Sequence, residues 1–378
     1  MRKKIIIVAI ILLIVALVVG ISLYISEKQV RDWVDEHVLR KNITEQDLPV
    51  ISLNTDKANQ VYVYSKYIAV LNNKTIKLYN GFGEEVTSID IDINTALFDS
   101  NKKYLAIAED GGDKVCLLLD KTYLWSNSIE GEILQVHVNQ NGYVVVVTTD
   151  SAHKSIVTLL NPSGKKLFKR YFSSTRIIDA SISMDNKYIA LGELDTTGSN
   201  IQSNINIISI ENAQTDPENT IIYTYNAESG NLIVNVEYQD KGQIACLYDK
   251  TIEIINNEES KELIKSENQV NTFMAINFNN HVVYAEEENS GLFNANTNVK
   301  IIDTSNNEEK LLVLEDLAKE INSKDSILEI NFGTEMYFYD TNGWLVKRYT
   351  SNKEITNVEF SSNLAAIVYK DKVIVINF

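Results

Sequence analysis

Apolar positions in this chain fall into short alternating runs, and the runs recur about every forty residues. Four recurrences share one phrase, a polar turn, a tyrosine and an apolar stretch. They are Ser65-Lys-Tyr67-Ile-Ala-Val, Lys102-Lys-Tyr104-Leu-Ala-Ile, Asn141-Gly-Tyr143-Val-Val-Val and Asn186-Lys-Tyr188-Ile-Ala-Leu. Weaker copies follow at Gly242-Gln-Ile244, Asn280-His-Val282 and Ser362-Asn-Leu364. A fixed period of this length, filled with short strands, predicts the blades of a β-propeller. Six consecutive units between Gln60 and Glu315 accommodate four strands each.

The last two units are irregular. Residues 327–331, 335–340 and 344–349 supply three strands of a seventh blade with no clear first strand, while 314–321 reads as helical. Residues 357–360, 364–369 and 372–378 supply only three strands of the final blade. A blade one strand short exposes a pairing edge. Residues 48–53 are the natural fourth strand, since Pro49 at their start is tolerated on an edge. The fold expected is all-β, a propeller of seven to eight four-stranded blades with eight favoured. It covers 48–378 and is closed by pairing of 48–53 with the C-terminal blade.

The N-terminus is a different object. Arg2, Lys3 and Lys4 precede an uncharged run from Ile5 to Ile25. At ~1.5 Å per residue it reaches roughly 30 Å, the thickness of a bilayer's hydrocarbon core. Signal peptides have shorter apolar regions and a small-residue cleavage site, which nothing here supplies. The organisation read is a cytoplasmic tail (1–4), a transmembrane helix (5–25), a juxtamembrane helix and linker (26–47), and the propeller. The basic cluster abutting the apolar run favours a cytoplasmic N-terminus and an extracytoplasmic propeller at the cell membrane. Val30, Trp33, Val34, His37 and Val38 make one apolar stripe on a helix over 26–41. That stripe packs on the propeller or the membrane surface, or pairs two chains in a homodimer.

Charge then excludes one class of partner. The chain carries −16, and subtracting the three N-terminal positive charges leaves −19 beyond the anchor. Such a surface repels phosphate backbones, so nucleic acid is not an expected partner. Cys116 and Cys246 fall in different blades and are expected as buried free thiols. His37, His137, His153 and His281 are scattered without zinc spacing. No Gly-x-Ser-x-Gly elbow occurs, and the acidic turns 109–113 and 340–343 fall short of a calcium loop. No catalytic residue, metal or cofactor is assigned.

Candidate chemistry therefore rests on loops. In four-stranded blades, loops joining strands two and three share a face with the blade-to-blade connections. Segments 195–204, 287–298 and 314–321 all fall there, and only 211–220 projects from the other side. Asp195, Asn200, Asn204, Leu292, Phe293, Asn294 and Lys319 are the candidate partner-binding residues, with Leu292 and Phe293 as an apolar anchor.

The repeat region resembles WD40-like and quinoprotein-like propellers. It lacks the Gly-His and Trp-Asp dipeptides of the first, and only Trp125 and Trp344 occupy the positions of the second's tryptophan motif. Over its whole length the chain resembles a domain-of-unknown-function family of bacterial single-pass membrane proteins with a degenerate propeller. The resemblance implies no catalytic residues. The function expected is binding or scaffolding of a protein or envelope polymer. A propeller hydrolase, a quinone-dependent oxidoreductase using the central channel, and a ligand sensor are the alternatives.

Overall fold

The tyrosine phrase marks the start of the second strand in each of the first four blades, and its apolar stretch is the blade's core. Val144–Thr149 shows why that stretch reads as almost uninterrupted valine. Val144 and Val146 pack against Ala106, Ala108 and Leu117 of the preceding blade. Val145 and Val147 face Ile189 and Leu191 of the next one. Both sheet faces are buried, so no polar alternation survives. Each fully buried valine contributes about 1.5–3 kcal/mol of burial free energy.

The computed structural model of the protein describes residues 2–56, 58–216, 219–256, 259–266, 272–289, 295–355 and 357–378. Eight sheets follow one another around a ring. The first strands of blades 1 to 8 are Gln60–Tyr64, Ala96–Asn101, Glu132–Val138, Thr175–Ile182, Ile233–Tyr238, Thr272–Phe278, Glu320–Lys324 and Val358–Phe360. Three further antiparallel strands complete each blade, and in blade 8 the outermost is the N-terminal strand Val50–Ser52. Val50 lies opposite Ile374 and Ser52 opposite Lys372. Ile51, 2% exposed, is buried with Val61, Val63, Val373 and Val375 between blades 8 and 1.

Several expectations need correction. Segment 314–321 is not helical. Leu314 ends the outer strand of blade 6, Glu309–Leu314, and Ile321 belongs to the first strand of blade 7, opposite Ile330. The helix-like spacing of Leu314, Ala318 and Ile321 serves instead to fill the core between these blades. The open edge of Ile327–Asn331 needs a partner, and pairing overrides local propensity. The supposed long loop 287–298 is largely a hairpin. His281–Asn289 and Ala295–Asp303 stay in register out to Asn289 opposite Ala295. A fifth strand, Asn42–Thr44, lies parallel to the outer strand Leu345–Thr350 of blade 7. Ile210–Thr215 forms a short helix, its first turn capped by the Ser209 hydroxyl.

The N-terminal helix runs continuously over Arg2–Ser26, with side chains described from Ile10 onward. Among the described residues, no helix is long and apolar enough to cross a membrane. The second helix is shorter than expected, Lys28–His37. Arg31 donates to the carbonyls of Tyr24 (3.3 Å) and Ile25 (3.0 Å), satisfying groups left open at the end of the first helix.

The ring has two unlike faces. The turn face carries the connections between strands one and two and between three and four. The loop face carries the two-to-three loops and the blade-to-blade connections. Three of the three-to-four turns are built alike. In each, an Asn or Asp side-chain oxygen accepts from backbone N–H groups two and four residues on: Asn80 from Phe82 and Glu84, Asn161 from Ser163 and Lys165, Asp340 from Asn342 and Trp344. Glycine follows at positive φ in all three: Gly83 (75°), Gly164 (81°) and Gly343 (72°).

Candidate functional site

The first strands converge on the ring axis and leave a cavity of about 790 Å³, to which every blade contributes lining residues. Its walls come from the lower halves of these strands and from their turns, so it opens on the turn face. Ser65, Lys102, Gln140, Met184, Asp240, Asn279, Asp325 and Asn363 belong to that rim.

Titratable groups stand deeper. Asp99, His137, Asp179, Glu237 and Lys324 come from blades 2, 3, 4, 5 and 7. His137 Nε2 lies 3.3 Å from Asp179 Oδ1. The other oxygen of Asp179 accepts from the Val236 N–H at 2.8 Å, and Asp99 accepts from the Val138 N–H at 2.6 Å. Each carboxylate thus ties its own blade to the next by a charge-assisted bond. Across the cavity Lys324 donates to the Val63 carbonyl at 2.8 Å, with its ammonium 4.0 Å from the centroid of the Tyr62 ring. Tyr62 in turn stacks on Phe98 at 5.2 Å.

Burial dominates the electrostatics. It raises the pKa of Asp99 and of Asp179, against the opposing pull of His137 in both cases. Glu237 is pushed up to about 8, first by burial and then by the like charges of Asp179 and Asp99. Glu359 of blade 8 is pushed up to about 7 by burial, with Lys324 opposing. Burial disfavours the charge of Lys324, yet Tyr62, Glu359 and Asp325 outweigh it and its pKa ends raised. Asn235 Oδ1, Gln239 Nε2 and Ser323 Oγ sit in this wall without a hydrogen-bond partner among the described residues. The cavity therefore offers fixed charges of both signs and unused polar atoms at a rigid centre. Among the described residues no three His, Cys, Asp or Glu side chains come together as a metal site.

The residues expected to bind partners lie elsewhere. Asp195 ends the second strand of blade 4, and its carboxylate accepts from Thr197 N–H (2.8 Å) and hydroxyl (2.7 Å), which lowers its pKa. Asn200 is exposed in the following loop, whereas Asn204 lies within the strand Gln202–Ser209 and is half-buried. Lys319 is exposed between blades 6 and 7 and pairs with Glu354 at 2.5 Å. Leu292, Phe293 and Asn294 lie outside the described residues. Asp195 and Asn200 share the two-to-three connection of blade 4, while Lys319 lies on the same face in the separate connection between blades 6 and 7. Sequence reasoning missed the channel groups because each stands alone in its own strand, with its partners in separate blades far along the chain. The signal available was partial: Asp99, His137 and Asp179 precede the tyrosine phrases of blades 2, 3 and 4, while blade 1 has Tyr62 there and blades 5 and 7 have no such phrase.

The fold has many counterparts among solved structures. BamB from Moraxella catarrhalis aligns over 88% of this chain and 99% of its own, with 11% identity and a TM-score of 0.54. The C-terminal WD40 domain of Sif2 aligns over 87% and 98%, with 12% identity and a TM-score of 0.58. Chaetomium thermophilum Sqt1, solved bound to the N-terminus of the ribosomal protein L10, aligns over 89% and 100%, with 11% identity and a TM-score of 0.54. At such identities the likeness is one of fold. No curated protein matches the sequence. The profile of one family matches residues 44–378, nearly the whole propeller and its closing strand, and the chain belongs to that family, DUF5711, a family of unknown function.

Proposed function

We propose that this protein is a single-pass membrane protein whose propeller stands outside the cell membrane and docks a protein or envelope polymer on its loop face. The observation that carries the docking reading is the chemistry of that face. Asp92, Asp110, Asp113, Glu130, Asp150 and Glu228 are exposed there on connections of blades 1 to 5, with Asp92 paired to Lys74 and Lys114, Glu130 to Lys169 and Glu228 to Lys265. Fixed acidic groups on a rigid ring suit a partner with basic groups and speed its encounter. The Sqt1 structure, a propeller holding the N-terminus of a ribosomal protein, supports the reading by analogy of fold. The anchor is supported by the Arg2–Lys4 cluster, the uncharged sequence from Ile5 to Ile25 and the unbroken helix over them.

Photo-crosslinking in intact cells tests the docking surface. A photoreactive residue at Asn200 or Lys319 is expected to trap a discrete partner, and one at Lys166, exposed at the turn-face end of the outer strand of blade 3, is not. Replacing both Leu292 and Phe293 by serine is expected to weaken the adduct without lowering thermal stability. Equal adducts from all three positions contradict the assignment.

One observation favours a second reading. The His137–Asp179 pair in the channel cavity has the geometry of a general base held by a carboxylate. A channel enzyme or ligand sensor predicts turnover or ligand binding that His137→Asn abolishes; a docking module predicts neither.

A further inference from the structure

Phe82 is the most exposed large apolar residue among those described, at 76%, and nothing in its turn requires it. It occupies the tip of the Asn80–Glu84 turn in blade 1. Blades 3 and 7 build the same turn, with the same side-chain acceptor and the same positive-φ glycine, and put Ser163 and Asn342 at the tip. A polar tip thus satisfies the geometry equally well. The turn is also held firmly. Asn377 of blade 8 donates to the Gly81 carbonyl at 2.8 Å, and a Cβ added to Gly81 would meet the Asn377 side chain. The phenyl ring is presented to solvent on a rigid support, at a cost in exposed apolar area.

The N-terminal helix ends beside the same face. The Tyr24 ring lies 5.5 Å from Trp344, which closes the three-to-four turn of blade 7. The Tyr24 hydroxyl donates to Asp35 at 2.7 Å and accepts from Lys41 at 3.1 Å, and Lys41 pairs with Asp35 at 2.9 Å. These contacts fix the end of the helix against the turn face of blade 7, two blades from Phe82. Trp125 shows a contrast: within the outer strand of blade 2 it donates to the Pro162 carbonyl and braces blade 3, whereas Trp344, in the turn before the outer strand of blade 7, packs on the helix. Charge differs between faces as well. On the turn face of blades 1 and 2, Lys66, Lys102, Lys103 and Lys121 are exposed along with Glu84 and Glu85, while the loop face of these blades is acidic.

We propose that the blade 7–8–1 sector of the turn face rests on the bilayer surface, with Phe82 inserted at the boundary of headgroups and acyl chains. The occupant is a lipid surface. An apolar ring is buried at that boundary, and the exposed lysines on the same face suit anionic headgroups. The inference rests on the membrane-anchor reading above. It makes the helix and the Phe82 turn two attachment points that fix the tilt of the ring and direct the acidic loop face away from the membrane.

The test uses the full chain in nanodiscs of phosphatidylcholine and phosphatidylglycerol. Single cysteines at Ile14, Phe82, Ser163 and Asn200 carry an environment-sensitive fluorophore; native Cys116 and Cys246 are buried at 1% and 0% exposure and escape labelling. Nitroxides on the lipid chains serve as quenchers. Quenching of the label at 82 several-fold above that at 163 and 200, with the label at 14 quenched by deep nitroxides, is the result expected. A label at 82 no more quenched than at 163, with 14 still quenched, overturns surface docking and leaves the anchor standing. A label at 82 shielded from water but not quenched by lipid points to a protein contact and also overturns it. An unquenched label at 14 removes the anchor and this inference together.

Discussion

Glu237 shows how the channel writes itself into stability. Its pKa near 8 lies well above the ~4.3 of a carboxyl in an unfolded chain. Between these values the folded protein keeps a proton that the unfolded chain has released, so stability falls as pH rises through the interval. Glu329, pushed up to about 8 by burial, and Glu359, up to about 7, act in the same direction. The melting temperature is expected to drop between about pH 5 and 8, and Glu237→Gln to flatten part of that drop. Differential scanning calorimetry across the range checks it, and an unchanged slope in the variant contradicts the burial of this carboxyl. Lys324→Met is expected to cost about 1–3 kcal/mol in urea unfolding, because the Val63 carbonyl loses its donor. None of this was legible in the sequence. In the sequence His137 is one of four scattered histidines, since nothing local announces Asp179 beside it; only the ring brings together residues from separate repeats.

Strands and turns were more legible, and unevenly so. The tyrosine phrases marked second strands correctly because both faces of those strands are buried and their composition is distinctive. Glu320–Lys324 was hidden, because its residues Glu, Asn, Ser and Lys carry no apolar run and a helix-like spacing precedes them. Asn42–Thr44 escaped for a similar reason, being three residues added to an edge. The closing strand was legible from an absence, the missing fourth member of the last blade. Its energetic weight lies in Ile51. Ile51→Asp is expected to lower stability by about 3–5 kcal/mol, since a carboxylate would be buried between blades 8 and 1. Guanidinium unfolding measures the loss. Phe82→Ser, at an exposed turn tip, is expected to stay within about 0.5 kcal/mol of the parent. A large loss there would mean that the ring is structural.

At the scale of the molecule, eight blades joined through both chain ends hold two chemically different faces at a fixed separation. Stability is distributed over similar interfaces between blades, and one junction, that of blade 8 with the N-terminal strand, decides whether the ring is closed. Ser52 and Lys372 stand opposite each other there. The Leu53 N–H donates to the Asp371 carbonyl, which makes them a non-hydrogen-bonded pair with closely spaced Cβ atoms. Cysteines placed at these two positions in the full chain test closure most directly, with Val50→Cys plus Lys372→Cys as the off-register control. A disulfide that forms readily in the first pair but not in the second, and raises the unfolding midpoint, is the result predicted. Failure of the in-register pair to bridge, or equal bridging in the control, would contradict a ring sealed by this strand.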